Sequence, residues 1–385
     1  MKSLLISSIY FPPQVGGIAE IMAAVASALG PDRVCCLTGV LANQAVGPNH
    51  FRPTVYRRPA AFARAKPVQA VGLGMAISEI MVRERPSIVQ LATAYDGYLG
   101  LWLRKWLKLP YVMYAYGNEI LDTLQSSWGR DRLALQQADR VLAISRFAAT
   151  LVEKAGVVPE RIDIVNPGCD AQVFRPMPPR MELRQRLLGP RRGPVVLTVG
   201  NLVARKGFDM VIRALARLRQ TIPDVTYLIV GAGPYRTELE SLAAATGVRD
   251  NVVFAGMIPH KELPDVYALS DVFVMPSREQ LDDCDVEGFG LVFLEASSCG
   301  KPVVGGRSGG VPEAVEDGVT GLLVNPHEPE EIAGTLARLL TDSELAKRLG
   351  QEGRGRVVRD FDSARVGDRV HQILESVLLE RTTRN

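Results

Sequence analysis

The sequence offers little cysteine: five residues in 385, at Cys35, Cys36, Cys169, Cys284 and Cys299, an odd number without the paired spacing of a zinc site or a disulfide framework. A stapled scaffold is excluded, and a reducing cytoplasm is the expected compartment. No stretch approaches the roughly 20 apolar residues that a membrane-spanning helix requires. The N-terminal MKSLLISSIYFPP is apolar only briefly, is interrupted by serines and is followed by no small-residue cleavage site, so it reads as a first strand and not as a signal peptide. Any contact with a membrane is therefore expected to be peripheral. Solenoid repeats and low-complexity tracts are missing too. Net charge is small, at +3, which argues against nucleic acid as a partner. The charge there is lies unevenly: residues 1–165 hold 18 Lys and Arg against 12 Asp and Glu, and the remainder 27 against 30. The first half is the basic half.

Apolar residues make up 47% of the chain and charged ones 23%, the balance of a globular protein with real cores, and the length suggests two domains. Short β-rich runs alternate with helical patterns. Residues 4–10, 33–37, 87–91, 111–116 and 140–145 read as strands, and 17–29, 68–84, 97–108, 130–138 and 146–155 as helices. After Pro167 the series restarts, with strands at 194–200, 225–231, 251–256, 271–276 and 301–306, and helices at 207–220, 235–245, 261–269 and 288–299. Further helical patterns cover 328–340, 342–351 and 363–380. Strands joined by helical crossovers pair in parallel with helices on both faces, so the fold class is α/β, with two doubly wound parallel sheets. The expected layout is a first domain over 1–167, a Pro- and Arg-rich linker over 168–193 and a second domain over 194–362, with 363–385 crossing back onto the first. Ligands of such sheets lie beyond the carboxyl ends of the strands, so the cleft between the domains is the expected site.

Several strand-to-helix junctions have the makings of an anion site. IYFPPQVGGIAEIM sets Gly16 and Gly17 at a helix start, where backbone N–H groups favour negative charge and glycine permits close approach; a tight turn explains them equally well. TVGNLVARKGFDMVI places Arg205 and Lys206 just before a helix opened by Gly207, an arrangement suited to a diphosphate, against the plainer reading of a solvated basic turn. LIVGAGPYRTEL imitates a dinucleotide fingerprint, but Arg236 stands where its third glycine belongs, and Gly231 and Gly233 read as turn residues. LDDCDVEG offers Asp282, Asp283 and Asp285; without further carboxylates or histidines nearby they read as loop acidity and not as a metal site.

DVEGFGLVFLEASSCG is the most informative stretch. Gly288 and Gly290 let backbone approach a ligand where a helix begins, Glu287 stands before that helix, and Glu295 sits inside the apolar run that follows. Carboxylates accept hydrogen bonds from sugar hydroxyls, so both are candidate hydroxyl holders on one ligand; a helix cap and a half-buried, satisfied glutamate are the alternative. GGRSGGVPEAV supplies another glycine-rich turn at Gly309 and Gly310, and one large anionic ligand accounts for all of these together.

With FPPQVGG, NPGCD, VGNLVARKG, VGAGP, DVEGFGLVFLEA and GGRSGGVPEAV in this order, the chain resembles the retaining glycosyltransferases of family 4, which have the GT-B fold of two Rossmann-like domains facing across a cleft. The resemblance covers nearly the whole length and is especially close to GDP-mannose-dependent phosphatidylinositol-mannoside mannosyltransferases. It implies that Gly16 and Gly17 meet the donor phosphates, that Lys206 binds the diphosphate, that Glu287 holds hydroxyls of the transferred sugar and Glu295 the ribose diol. It also implies that amides from Gly288, Phe289, Gly290, Leu291 and Val292 cover sugar and phosphate, with the nucleobase near Met257 and Ile258.

Two departures stand out. Asn201 replaces the family's usual arginine, leaving Arg205 to share the diphosphate charge with Lys206. Tyr116 in YAYGNEI replaces a histidine found beside the reacting sugar, and a tyrosine hydroxyl does not become a cation near neutral pH. Asp96 and Asn118 are acceptor-side candidates. The implied reaction moves a hexose, mannose favoured, from a nucleoside diphosphate to a hydroxyl of a lipid-linked or polysaccharide-precursor acceptor with retention. The leaving diphosphate takes the acceptor proton, and neither metal nor cofactor is required. YLGLWLRKWLKLP carries Trp102 and Trp106 one turn apart with Arg104, Lys105 and Lys108, and RRPAAFARAKP adds Arg57, Arg58, Arg64 and Lys66, a pattern fit for an anionic membrane surface or for core packing with a solvated rim. Other classes stay open: a sugar-nucleotide epimerase of the same fold, a nicotinamide-dependent oxidoreductase, which the incomplete glycine fingerprint disfavours, and a non-catalytic nucleotide-sugar binder.

Overall fold

The computed structural model describes residues 1–14, 16–39, 53–63, 66–126, 129–280 and 283–384. The chain divides into two units, Met1–Gly168 with Ser363–Asn385, and Cys169–Asp362.

Among the described residues the first unit is built on a seven-stranded parallel sheet: β1 (Ser3–Ser7), β2 (Val34–Thr38), β3 (Thr54–Arg57), β4 (Ile88–Leu91), β5 (Tyr111–Ala115), β6 (Arg140–Ala143) and β7 (Ile162–Ile164), in the order β3-β2-β1-β4-β5-β6-β7. β1, β2, β4 and β5 are buried at every position, because helices on both faces leave no side for water and select near-continuous apolar runs. Leu4 pairs with Cys35 on one side and Val89 on the other, which fixes the register at the centre. The five cysteines are buried and form no disulfide among the described residues, and burial pushes the Cys35 thiol up to about 12, where it is inert. The final helix, Ser363–Arg384, lies along Gly17–Leu29: a Cβ on Gly367 would stand 2.4 Å from the Ala28 side chain, and Arg33 meets Asp368 at 3.6 Å.

Among the described residues the second unit has a six-stranded parallel sheet, β8 (Val195–Val199), β9 (Thr226–Val230), β10 (Val252–Gly256), β11 (Val272–Met275), β12 (Val303–Gly306) and β13 (Leu322–Val324), ordered β10-β9-β8-β11-β12-β13. Its core joins Val196, Tyr227, Ile229 and Val274 of the sheet to Phe208, Val211, Leu215 and Leu218 of the helix Phe208–Thr221, whose three- and four-residue apolar spacing turns one stripe inward. Residues 168–193 depart from the expected linker. From Cys169 onward they belong to this unit, and they contain a helix, Met181–Leu188, whose Leu183 and Leu188 are buried. The helix expected at 288–299 begins later, at Leu291, and the one expected at 342–351 runs from Ser343 to Asp360. Among the described residues, no helix is long and apolar enough to cross a membrane.

Candidate active site

Where chain connections leave a central strand in opposite directions, the loops beyond that strand and its neighbour open a crevice. In the second unit this happens between β8 and β11, and the loop after each carries the expected site residues. The β8 loop ends in a 3-10 turn, Ala204–Lys206, and Gly207 takes a left-handed φ of 74° before the helix starts. A Cβ on Gly207 would stand 2.2 Å from the Pro276 carbonyl oxygen, so only glycine lets the β8 loop lie directly on the β11 loop. Arg278 N–H donates to the Arg205 carbonyl at 2.8 Å and locks the two loops together.

That contact brings the charges into one cluster. Lys206 Nζ donates to Glu287 Oε2, Arg205 Nη1 lies 3.8 Å from the same oxygen, and Arg205 Nε lies 2.7 Å from Asp285 Oδ1. Burial by itself raises the Glu287 carboxyl, but the Lys206 and Arg205 charges and the hydrogen bond from Lys206 outweigh it and hold the group below the usual carboxylate range. Burial lowers the Lys206 ammonium, against the opposing pull of Glu287. Asp285, read from sequence as loop acidity, is thus part of the site: it holds the guanidinium beside Lys206. Asp282 and Arg64 lie outside the described residues, as does the side chain of Lys66.

The backbone around Glu287 is held by the glycine turn after β12. Gly310 N–H donates to the Glu287 carbonyl at 2.9 Å, and a Cβ on Gly310 would stand 1.9 Å from the Gly288 oxygen. Glu279 Oε1 accepts from Gly309 N–H at 2.8 Å. Gly290, with a left-handed φ of 94°, precedes the helix Leu291–Ser298, and Phe293 N–H donates back to the Gly290 carbonyl at 3.0 Å. Phe289 is buried, and Leu291 and Val292 are half-buried at this helix start. Gly231, taken from sequence as a turn residue, packs instead against the β8 loop, where a Cβ would meet the Gly200 oxygen at 1.9 Å. Asn201, on that loop, is exposed.

Glu295 is nearly buried in this helix, and both its oxygens are engaged. Tyr267 OH donates to Oε2 at 2.7 Å, and His260 Nε2 stands 3.5 Å from Oε1. Phe174 contacts both rings edge-on, at centroid distances of 5.4 Å to His260 and 6.0 Å to Tyr267. Met257, 53% exposed, and half-buried Ile258 precede His260 on the loop after β10. Sequence reasoning missed Tyr267 and His260; a tyrosine and a histidine in a helix-like pattern carry no mark of the carboxylate they serve.

In the first unit the reversal falls between β1 and β4. Gly16 caps and Gly17 opens the helix Gly17–Leu29. Asp96, after β4, is buried and accepts from Ser8 N–H, after β1, at 3.3 Å; burial pushes its carboxyl up to about 6. Tyr116, at the end of β5, is 6% exposed, and its hydroxyl has no hydrogen-bond partner among the described residues. Glu119, which sequence reasoning passed over, accepts from Tyr116 N–H at 2.5 Å and is pushed by burial up to about 7. Asn118 opens the helix Asn118–Gln125 and is half-buried.

Residues 15–173 match the model described as Glycosyltransferase Family 4, and residues 179–356 the model Glycosyl transferases group 1. A GDP-mannose-dependent alpha-(1-6)-phosphatidylinositol monomannoside mannosyltransferase of Mycolicibacterium smegmatis is 42% identical over 239 residues; the match covers 62% of this chain and 62% of that protein, so less than two thirds of the relative's length is matched. A GDP-mannose-dependent monoacylated alpha-(1-6)-phosphatidylinositol monomannoside mannosyltransferase of Corynebacterium glutamicum is 28% identical, covering 97% of this chain and 98% of the relative. Among solved structures, Anabaena HepE in complex with UDP superposes with a TM-score of 0.79 at 25% identity, covering 98% of this chain and 100% of that one. With one family model on each unit, the chain belongs to the family 4, group 1 glycosyltransferases and has their GT-B fold.

Proposed function

We propose that the chain is a retaining hexosyltransferase that moves a hexose, mannose favoured, from a nucleoside-diphosphate sugar to a hydroxyl of a lipid-linked or polysaccharide-precursor acceptor. The observation that carries this reading is the cluster of Lys206, Arg205 and Glu287 at the β8–β11 crevice, beside the N-terminal end of the helix Leu291–Ser298. Two cations and helix amides suit a diphosphate, and the ionised carboxylate suits hydroxyls. On donor binding Lys206 passes from Glu287 to phosphate oxygens, and the freed Glu287 accepts from sugar hydroxyls. Glu295 takes the ribose diol, and the nucleobase lies by Met257 and Ile258. Gly16 and Gly17 meet the phosphates, and Tyr116, Asp96 and Asn118 serve the reacting-sugar and acceptor side.

The bond that breaks joins the anomeric carbon to the diphosphate oxygen, and the bond that forms joins that carbon to the acceptor oxygen on the same face. The acceptor proton passes to the departing diphosphate. Lys206, Arg205 and the helix amides stabilise the charge that grows there, so no metal or cofactor is needed. GDP-mannose is the favoured donor, in line with the GDP-mannose dependence of the M. smegmatis and C. glutamicum relatives. The place of action is the cytoplasm, at the inner face of the membrane, with Trp102, Trp106 and Lys105 toward the lipid.

The test is a thermal-shift screen with GDP- and UDP-sugars, followed by transfer assays with lipid-linked acceptors. Stabilisation by one nucleotide sugar and an α-linked product from an α-linked donor are expected. No shift with any nucleotide sugar, or an epimerised donor in place of a transferred sugar, overturns the reading.

A further inference from the structure

The second unit has a cavity of about 480 Å³ at the edge of its sheet opposite the β8–β11 crevice. Pro194, Asp271 and Lys301, which stand just before β8, β11 and β12, line it, so this is the edge at which the parallel strands begin. Arg184 of the helix Met181–Leu188, Arg192 and the end of the helix Leu263–Leu269 line it too.

Three of the lining side chains are cations, Arg184, Arg192 and Lys301, and none has an ion-pair partner among the described residues. Arg184 Nη2 donates to the Arg191 carbonyl at 3.3 Å and the Gly193 carbonyl at 3.5 Å, and Arg192 is exposed. Lys301 Nζ donates to the Ala268 carbonyl at 3.2 Å and the Ser270 carbonyl at 2.7 Å, which leaves its third proton for a ligand. Burial lowers the Lys301 ammonium, and an anion beside it would offset that. Other arginines of the same segment are differently placed: Arg180 is paired with Asp265 and Arg186 with Glu262, each at 3.0 Å. The lining carboxylate, Asp271, is turned to the sheet, where its Oδ2 accepts from Val195 N–H at 2.7 Å. Three cations against one carboxylate leave two positive charges, which match a single phosphate monoester dianion.

Lys301 also joins the cavity to the groups around Glu295. Its N–H donates to the Ala296 carbonyl at 3.0 Å, one residue beyond Glu295, while its side chain holds the end of the helix that carries Tyr267. Ser270 hydroxyl donates to the Tyr267 carbonyl at 2.9 Å, and Tyr267 OH donates to Glu295 Oε2. A ligand that ties Lys301 to Arg184 and Arg192 therefore steadies the elements that aim Glu295. We propose that this cavity binds a small phosphate monoester through Arg184, Arg192 and Lys301, and that its occupancy raises the affinity of the second unit for nucleotide. The linkage, though not the site, rests on the nucleotide-sugar reading above.

Titration calorimetry of the full chain with glucose 6-phosphate and with inorganic phosphate tests it. Because Lys206 and Arg205 also attract phosphate, the titration is repeated on Lys206→Met/Glu287→Gln and on Arg184→Gln/Arg192→Gln. Glucose 6-phosphate binding is expected to survive in the first variant and to weaken at least about tenfold in the second, which loses two charged donors. The second variant should keep the wild-type melting temperature, since neither arginine is buried. Inorganic phosphate should bind the same side chains more weakly, and an equal or tighter fit of the free ion overturns the monoester assignment. With glucose 6-phosphate present, nucleotide should bind at least about fivefold tighter, a gain that Arg184→Gln/Arg192→Gln cancels. No binding to the wild type, binding lost only in Lys206→Met/Glu287→Gln, or binding untouched in Arg184→Gln/Arg192→Gln overturns the site. Unchanged nucleotide affinity overturns the linkage. If no nucleotide binds with or without the phosphate, the proposed enzyme activity and the linkage fall together, and the phosphate titration still decides the site.

Discussion

Lys206 and Glu287, 81 positions apart, form an ion pair whose two side chains are each 11% exposed. On the proposed function, donor binding would separate the pair. Each group is a poor buried charge alone, and each favours the charged form of the other.

Lys206→Ala and Glu287→Ala should each abolish transfer on the proposed mechanism and also destabilise the second unit, Glu287→Ala by about 3–5 kcal/mol because Lys206 is left buried beside Arg205, and Lys206→Ala by less, because Arg205 still stands 3.8 Å from Glu287. The double variant Lys206→Met/Glu287→Gln should recover most of the melting temperature and none of the activity. Wild-type transfer rates in either single variant would remove these residues from the reaction.

Tyr267→Phe takes the hydrogen bond from Glu295 Oε2 while keeping the ring packed against Phe174 and Phe273. The carboxylate loses its aim, and affinity for the nucleotide is expected to fall about tenfold. Titration calorimetry with ribo- and 2′-deoxyribonucleotides checks the cause. If Glu295 grips the diol, Glu295→Ala should nearly erase the preference for the ribonucleotide and Tyr267→Phe should reduce it. An unchanged preference in Glu295→Ala would refute the diol assignment.

Chelation should leave turnover unchanged if, as proposed, Lys206, Arg205 and helix amides meet the diphosphate charge. Strict dependence on an added divalent ion in the same assay would contradict the metal-free route.

Asp96 gives a pH prediction. Burial raises its folded-state carboxyl to about 6 from an ordinary 3.8, so the neutral form is the one the first unit accommodates. The stability this contributes is complete below the unfolded value and is lost as pH rises through about 6. Asp96→Asn keeps an oxygen for Ser8 N–H and removes the titration. Denaturant midpoints of wild type should drop between pH 4 and 7 relative to the variant, with a difference of up to about 3 kcal/mol. Parallel midpoint curves would dismiss the effect.

Much of the fold was legible because its signals are local. β1, β8 and β11 are short apolar runs bounded by turn residues, and the helix Phe208–Thr221 repeats its apolar positions every three or four residues. The elements that escaped are short or lie in misleading company. β7 and β13 have three residues each, too few for periodicity to register. The helix Met181–Leu188 consists of good helix formers, but the prolines and arginines around it read as linker.

The candidate site divides along the same line. Gly207, Lys206, Glu287, Gly288 and Gly290 could be picked out from sequence because anion sites at strand-to-helix junctions need particular residue types at fixed offsets. Asp285, Tyr267, His260 and Glu119 could not, since each acts through a partner distant in sequence or hidden in an ordinary pattern. By itself the sequence determined the alternation of strands and helices and the chemistry held at each loop, for these depend on neighbours along the chain. Only the tertiary structure decided which loops meet and which carboxylate stays charged, because those depend on strand order and burial, quantities that no local stretch of residues contains.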